Sequence, residues 1–161
     1  MMIPEILACN RLLVDKQLSL SLAESATAGH VMAAFSLTPN AGDFLKGGVV
    51  CYDPCVKETI LQVPHDMIDR YTAESAEVTE AITKGVQRII PADISIGITG
   101  LLKPGGSETA QKPVGTMFVC ILYEHLCIHE RYCFKGTAED IVQQTLLETG
   151  KRLCQFIATQ L

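Results

Sequence analysis

The chain has 161 residues, 48% of them hydrophobic and 19% charged, a composition that excludes a disordered tail and lets one domain bury a core without disulfide or metal staples. Neither a membrane span of roughly 18 apolar residues nor, over Met1–Asn10, the basic start and long apolar stretch of a signal peptide is present, so a cytoplasmic protein without a membrane partner is expected. The formal net charge of −5 argues against a nucleic-acid partner, whose binding face is usually basic, and leaves room for a small anionic ligand held by local amides and cations.

Residues 5–16 carry Ile6, Cys9, Leu12 and Leu13 on one helical face. Leu18, Leu20 and Leu22 then alternate with polar neighbours as a strand, Glu24–Thr27 turns, and a helix is expected from about Thr27 to Ser36. Residues 37–43, with Pro39, Asn40 and Gly42, read as loop, and Phe44–Tyr52 as a strand opened by Gly47 and Gly48. Two short helical segments follow, Cys55–Leu61 and Pro64–Tyr71. Ser75 is a good N-cap for a helix over Val78–Ile90, whose apolar residues recur at helical spacing until Pro91 breaks it. Ile94, Ile96 and Ile98 alternate with Ser95 and Gly97 as another strand, and residues 101–113 form a polar Gly/Pro-rich loop. Val114–Leu122 and Glu124–Phe134 read as two strands around a turn, and Glu139–Leu161 as a helix that contains Gly150. Helices alternating with strands and a late hairpin imply a single α/β domain over 1–161, a three-layer α/β/α sandwich with a mixed, mostly parallel sheet.

Seven dispersed cysteines fit a reduced protein with buried thiols. There is no CxxC, and neither His30 nor His65 stands at zinc-ligand spacing from the close pair Cys51 and Cys55, so no metal is expected. His125 and His129 read as surface or core-edge residues.

Three segments, Glu24–Gly29, Tyr52–Lys57 and Thr99–Lys112, fall at the carboxyl ends of strands, where open α/β sheets collect ligands. Ser25 sits at a strand-to-helix turn. It either caps the helix or, with Thr27 as the cap, presents its hydroxyl beside helix-start amides that can hold an oxyanion. Lys57 can activate a serine only if burial or nearby positive charge lowers its pKa; on spacing alone it reads as a solvated helix lysine and Tyr52 as a half-buried core residue. Gly105 and Gly106 can offer amides to a phosphate or carboxylate, with Lys112 adding charge. No Walker pattern or GxGxxG is present, which argues against a P-loop nucleotidase or a dinucleotide-binding domain.

Taken in order, Leu22-Ala23-Glu24-Ser25 with Thr27 and Gly29, Phe44 with Gly47-Gly48-Val49-Val50 and Tyr52, Lys57, Ser75 with Glu77 and Val78, Ile98-Thr99-Gly100, Pro104-Gly105-Gly106 and Lys112-Pro113-Val114-Gly115-Thr116 make the chain resemble the CinA C-terminal domain family. The resemblance implies an α/β/α sandwich like that of anticodon-binding domains, pairing into homodimers or higher homo-oligomers. Longer relatives add an N-terminal domain resembling molybdopterin-binding proteins, for which 161 residues leave no room. It implies an amidohydrolase, needing no cofactor, that converts nicotinamide mononucleotide to nicotinate mononucleotide and ammonia in pyridine-nucleotide recycling. Ser25 matches the nucleophile, Lys57 its base, and Tyr52 a hydroxyl that relays the proton. Ala26, Thr27 and Gly29 would hold the oxyanion, Thr99 would line the site, and Gly105, Gly106 and Lys112 would take the substrate phosphate. Alternatives are a binding or regulatory domain of the same kind and an amidase for another small amide. The chain departs from the family pattern at Ala26 (usually Cys), Ala28 (usually Gly), Leu102 and Lys103, and at Thr137-Ala138, where an aspartate and an arginine are expected.

Overall fold

The structure is a computed structural model that describes residues 3–161; Met1 and Met2, the start of the segment read against a signal peptide, lie outside the described residues. The elements follow in the order α1 (Pro4–Asp15), β1 (Leu20–Glu24), α2 (His30–Ser36), α3 (Ala41–Phe44), β2 (Leu45–Val50), α4 (Pro54–Thr59), α5 (His65–Tyr71), α6 (Ala76–Ile89), β3 (Ile94–Gly100), β4 (Thr116–Tyr123), β5 (Leu126–Cys133) and α7 (Ala138–Gln160). The strands form one sheet in the order β2-β1-β3-β4-β5. β1 runs parallel to both β2 and β3, and β4 runs antiparallel to β3 and β5. Four strands therefore point one way and β4 the other, the expected mixed sheet.

The period-two alternation of β1 and β3 sets the two unequal helical layers. Leu20, Leu22, Ile94, Ile96 and Ile98 face one side, where they bury against Ile6, Cys9 and Leu13 of α1 and Ile141, Leu153 and Phe156 of α7. The opposite face carries small residues. A Cβ on Gly97 would stand 2.0 Å from Thr83 Oγ1 and 2.7 Å from the Thr79 carbonyl oxygen, so only glycine lets α6 lie this close to β3. Val78, Ile82 and Val86 of α6 close the smaller core there with Ala23, Cys51 and Leu61. Gly150, unfavourable in an isolated helix, sits where α1 crosses α7: a Cβ would meet Ile6 Cδ1 at 3.1 Å, and the Cys9 thiol donates to the Gly150 carbonyl at 3.1 Å.

Three expectations need correction. The helix expected from Thr27 begins at His30, because Ala28 (φ +48°) and Gly29 (φ +91°) are left-handed and cannot extend a right-handed helix. Residues 41–44, read as loop and strand start, form the short helix α3. Glu124 and His125 form the hairpin turn, so His125 is off the strand and His129 is on it. Among the described residues no helix is long and apolar enough to cross a membrane.

Ala28 is strained, since a left-handed non-glycine residue costs roughly 1–2 kcal/mol. Ala28→Gly is expected to stabilise the protein by about 0.5–1 kcal/mol after glycine's extra unfolded-state entropy. Urea unfolding should show a higher midpoint at an unchanged m-value; an unmoved midpoint would contradict the strain.

Candidate active site

β1 and β2 end side by side, and backbone hydrogen bonds continue past them. The Ser25 N–H donates to the Ile98 carbonyl at 2.9 Å and the Cys51 N–H to the Glu24 carbonyl at 2.8 Å. Those contacts fix the start of the Ser25 turn and the chain leading into α4. Asp53 caps α4 by accepting from the Cys55 N–H at 2.7 Å, with Pro54 in the first turn, where a missing N–H costs nothing. Lys57 then points inward from that short helix and is 1% exposed.

Lys57 Nζ lies 3.0 Å from Ser25 Oγ, 2.6 Å from the Cys51 carbonyl oxygen and 3.3 Å from that of Tyr52. Burial pushes its pKa below the ordinary lysine value, while the Cys51 thiol, Glu74 and Asp53 pull the other way. No carboxylate is within ion-pair distance of it among the described residues. Nζ donates to Ser25 Oγ and to the two carbonyls; burial favours loss of one proton, after which the amine can keep both carbonyl bonds and turn its lone pair to the serine hydroxyl. The sequence expectation of a solvated helix lysine is overturned, and so is the capping role weighed for Ser25.

The cap of α2 is Glu24. Its carboxylate, 1% exposed, accepts from the Thr27 hydroxyl at 2.6 Å, the N–H of Gly29 at 3.1 Å, that of Val31 at 3.2 Å and that of Met32 at 2.7 Å. One buried carboxylate thus satisfies three amides at the start of α2, and the Gly29 amide is the only one of them expected to hold an oxyanion. The Gly29 amide is taken by Glu24 and does not serve an oxyanion; Thr27 gives Glu24 only its hydroxyl, and its amide donates to no other described residue. The amide of Ala26, which lines the cavity, donates to no other described residue.

A cavity of about 220 Å³ opens beside Ser25, bounded by Ala26, Tyr52, Glu74 and the loop from Gly100 to Gly106. Tyr52 reaches Lys57 through its carbonyl; its side chain is largely solvent-facing and its hydroxyl is bonded to neither Ser25 nor Lys57, so the direct Lys57–Ser25 contact makes a tyrosine relay unnecessary. Thr99 does not line the cavity: it is fully buried, and its hydroxyl pairs with that of Thr79 on α6 at 2.8 Å.

The Gly105 and Gly106 amides converge on one anion, as expected of such a loop, but the anion is Glu108. Its two carboxylate oxygens accept from them at 2.7 and 2.8 Å. The Gly105 amide first, with other backbone amides, holds that carboxyl below the usual range. Lys112 is not free for a phosphate, because its three donors go to Thr72 Oγ1 (2.6 Å), the Glu74 carbonyl oxygen (2.9 Å) and Ser107 Oγ (2.9 Å). It ties the glycine loop to the approach to α6. Lys103 is the exposed cation on the cavity wall.

Sequence reasoning missed the roles of Glu24, Glu74 and Glu108. Glu24 had a visible signal, an acidic residue a few positions before a helix; the other two are brought to the site only by folding. At the start of α7 Thr137 and Asp140 form a reciprocal capping box.

A family model described as the CinA C-terminal domain matches residues 6–157. A CinA-like protein of Thermotoga maritima is 39% identical over 147 residues, covering 91% of this chain and 36% of that protein; a CinA-like protein of Synechococcus is 42% identical over 112 residues, covering 70% and 26%. The chain thus spans about a third of the length of the curated relatives it matches. Among solved structures, a CinA superfamily protein of Klebsiella pneumoniae superposes with a TM-score of 0.91 at 27% identity, covering 96% of both chains. One of Escherichia coli superposes with a TM-score of 0.91 at 27% identity, covering 97% of this chain and 90% of the other.

Proposed function

The chain belongs to the CinA C-terminal domain family, and from that premise we propose that it is a serine–lysine amidohydrolase that deamidates nicotinamide mononucleotide. The observation that carries the reading is the buried amine of Lys57, 3.0 Å from Ser25 Oγ, with no carboxylate within ion-pair distance among the described residues. Neutral Lys57 takes the hydroxyl proton as Ser25 Oγ attacks the amide carbon. The Ala26 amide is the donor we assign to the resulting oxyanion. The C–N bond then breaks, and the Lys57 ammonium returns its proton to the departing nitrogen, which leaves as ammonia. Water attacks the acyl ester as Lys57 accepts its proton; the C–O bond to Ser25 breaks, the Lys57 ammonium returns that proton to Ser25 Oγ, and the acid released ionises in solvent.

The substrate phosphate fits the Gly105–Gly106 amides beside Lys103, provided it displaces Glu108. Glu108→Ala is therefore expected to lower KM for the nucleotide roughly three- to tenfold, the scale of one net hydrogen bond. The dephosphorylated nucleoside serves as control, with its KM unmoved. An equal effect on both would show that Glu108 does not compete with the phosphate.

The reading is tested by incubating the purified chain with nicotinamide mononucleotide and measuring ammonia and nicotinate mononucleotide, which should appear in equal amounts. Glu108 in the loop seat favours a second reading, an amidase for a small amide without a phosphate; turnover of the nucleoside but not the nucleotide would select it. Nucleotide binding without ammonia release would instead select a regulatory binding domain.

A further inference from the structure

A second cluster of chemically competent side chains lies on β4 and β5, outside the cavity at Ser25. Cys120 on β4 stands directly across from His129 on β5, and Cys127 precedes His129 by two residues, hence shares its face. One donor atom from each, two thiol sulfurs and an imidazole nitrogen, lies within 4.8 Å of the others. Tetrahedral zinc holds such atoms roughly 3.5–4 Å apart, a gap that side-chain rotation covers. Cys120 is buried, Cys127 half-buried and His129 exposed, so the cluster opens to solvent on one side.

The helix above supplies what a ligating histidine needs. Glu80 of α6 places Oε2 2.9 Å from His129 Nε2, which orients the ring and leaves Nδ1 as the other coordinating position. We propose that Cys120, Cys127 and His129 bind one thiophilic divalent cation of the zinc class, with Glu80 orienting His129 and the fourth position open to water. Two sulfurs and one imidazole are a donor set that discriminates against magnesium and calcium, which prefer oxygen. Ion binding deprotonates the thiols and ties the β4–β5 hairpin, through Glu80, to α6. The cluster escapes a search by sequence spacing because its ligands come from two strands, and the hairpin register sets their separation.

The test uses the full chain, reduced with a phosphine, stripped of metal and titrated with Co²⁺. One equivalent should bind, giving a thiolate-to-cobalt charge-transfer band and the intense visible absorption of tetrahedral cobalt, and zinc should abolish both. Cys127→Ser and His129→Ala, both at accessible positions, should each weaken Co²⁺ binding at least tenfold while circular dichroism stays native. Cys55→Ser, at an exposed thiol elsewhere, should leave the spectrum unchanged. The proposal is overturned by the absence of a charge-transfer band, by a band that survives both ligand substitutions, or by one that disappears in Cys55→Ser.

Discussion

Ser25→Ala is expected to lower ammonia release by about 10,000-fold or more, and Lys57→Met by roughly 100- to 10,000-fold, with the double variant no worse than Ser25→Ala alone. The non-additivity follows from the contact: once the hydroxyl is gone, the amine 3.0 Å away has no proton to take. Methionine fills much of the lysine's volume without charge, so Lys57→Met should stay folded, as judged by its thermal transition. Full turnover in either variant would reject the pair as the reacting groups.

The same substitution has a pH signature with a definite sign. Burial lowers the folded-state pKa of Lys57 below its ordinary value of 10.5. Between the two values the unfolded chain binds more protons than the folded one, so stability rises with pH across that window. Below the folded-state value the cost of burying the cation is fully present; above 10.5 it has vanished. Lys57→Met removes that contribution, and its stability curve should be flatter over the window. Native activity should rise with pH as the amine becomes neutral, and a wild-type rate that falls across the window would contradict Lys57 as the base.

Glu24→Ala is expected to cost about 3 kcal/mol or more of stability, because it strips a buried carboxylate from one hydroxyl and three amides at once. Its effect on turnover should exceed its effect on folding, since the Glu24 carboxylate holds the turn that carries Ser25 while bonding to neither the Ser25 hydroxyl nor the Lys57 amine. Urea unfolding and ammonia release on the same preparation separate the two. A loss below about 1 kcal/mol, with turnover intact, would mean that solvent satisfies those donors as well as Glu24 does.

Much of the architecture was legible in the chain. Leu-Ser-Leu-Ala at 20–23 and Ile-Ser-Ile-Gly at 94–97 announce strands with one large and one small face, which is enough to place a thick core on one side and a closely packed helix on the other. The ordered motifs that place Ser25 and Lys57 at strand ends were legible too, since strand–turn–helix patterns are local. What these residues do was not. Ser25 and Lys57 are 32 positions apart, and the lysine's spacing alone suggests a solvated side chain; only burial beside the Cys51 and Tyr52 carbonyls lowers its pKa, as the proposed role of base requires. Along the chain Lys112 is a free charge and, by the resemblance, Thr99 a lining residue, yet the fold uses both as ties. Gly29, Gly105 and Gly106 were read as open amides, and folding brings Glu24 and Glu108 onto them. Backbone periodicity follows from neighbours a few residues apart and can be read along the chain. Protonation state, and whether a donor is free or taken, depend on desolvation and contacts within about 3 Å, which exist only after distant segments have met.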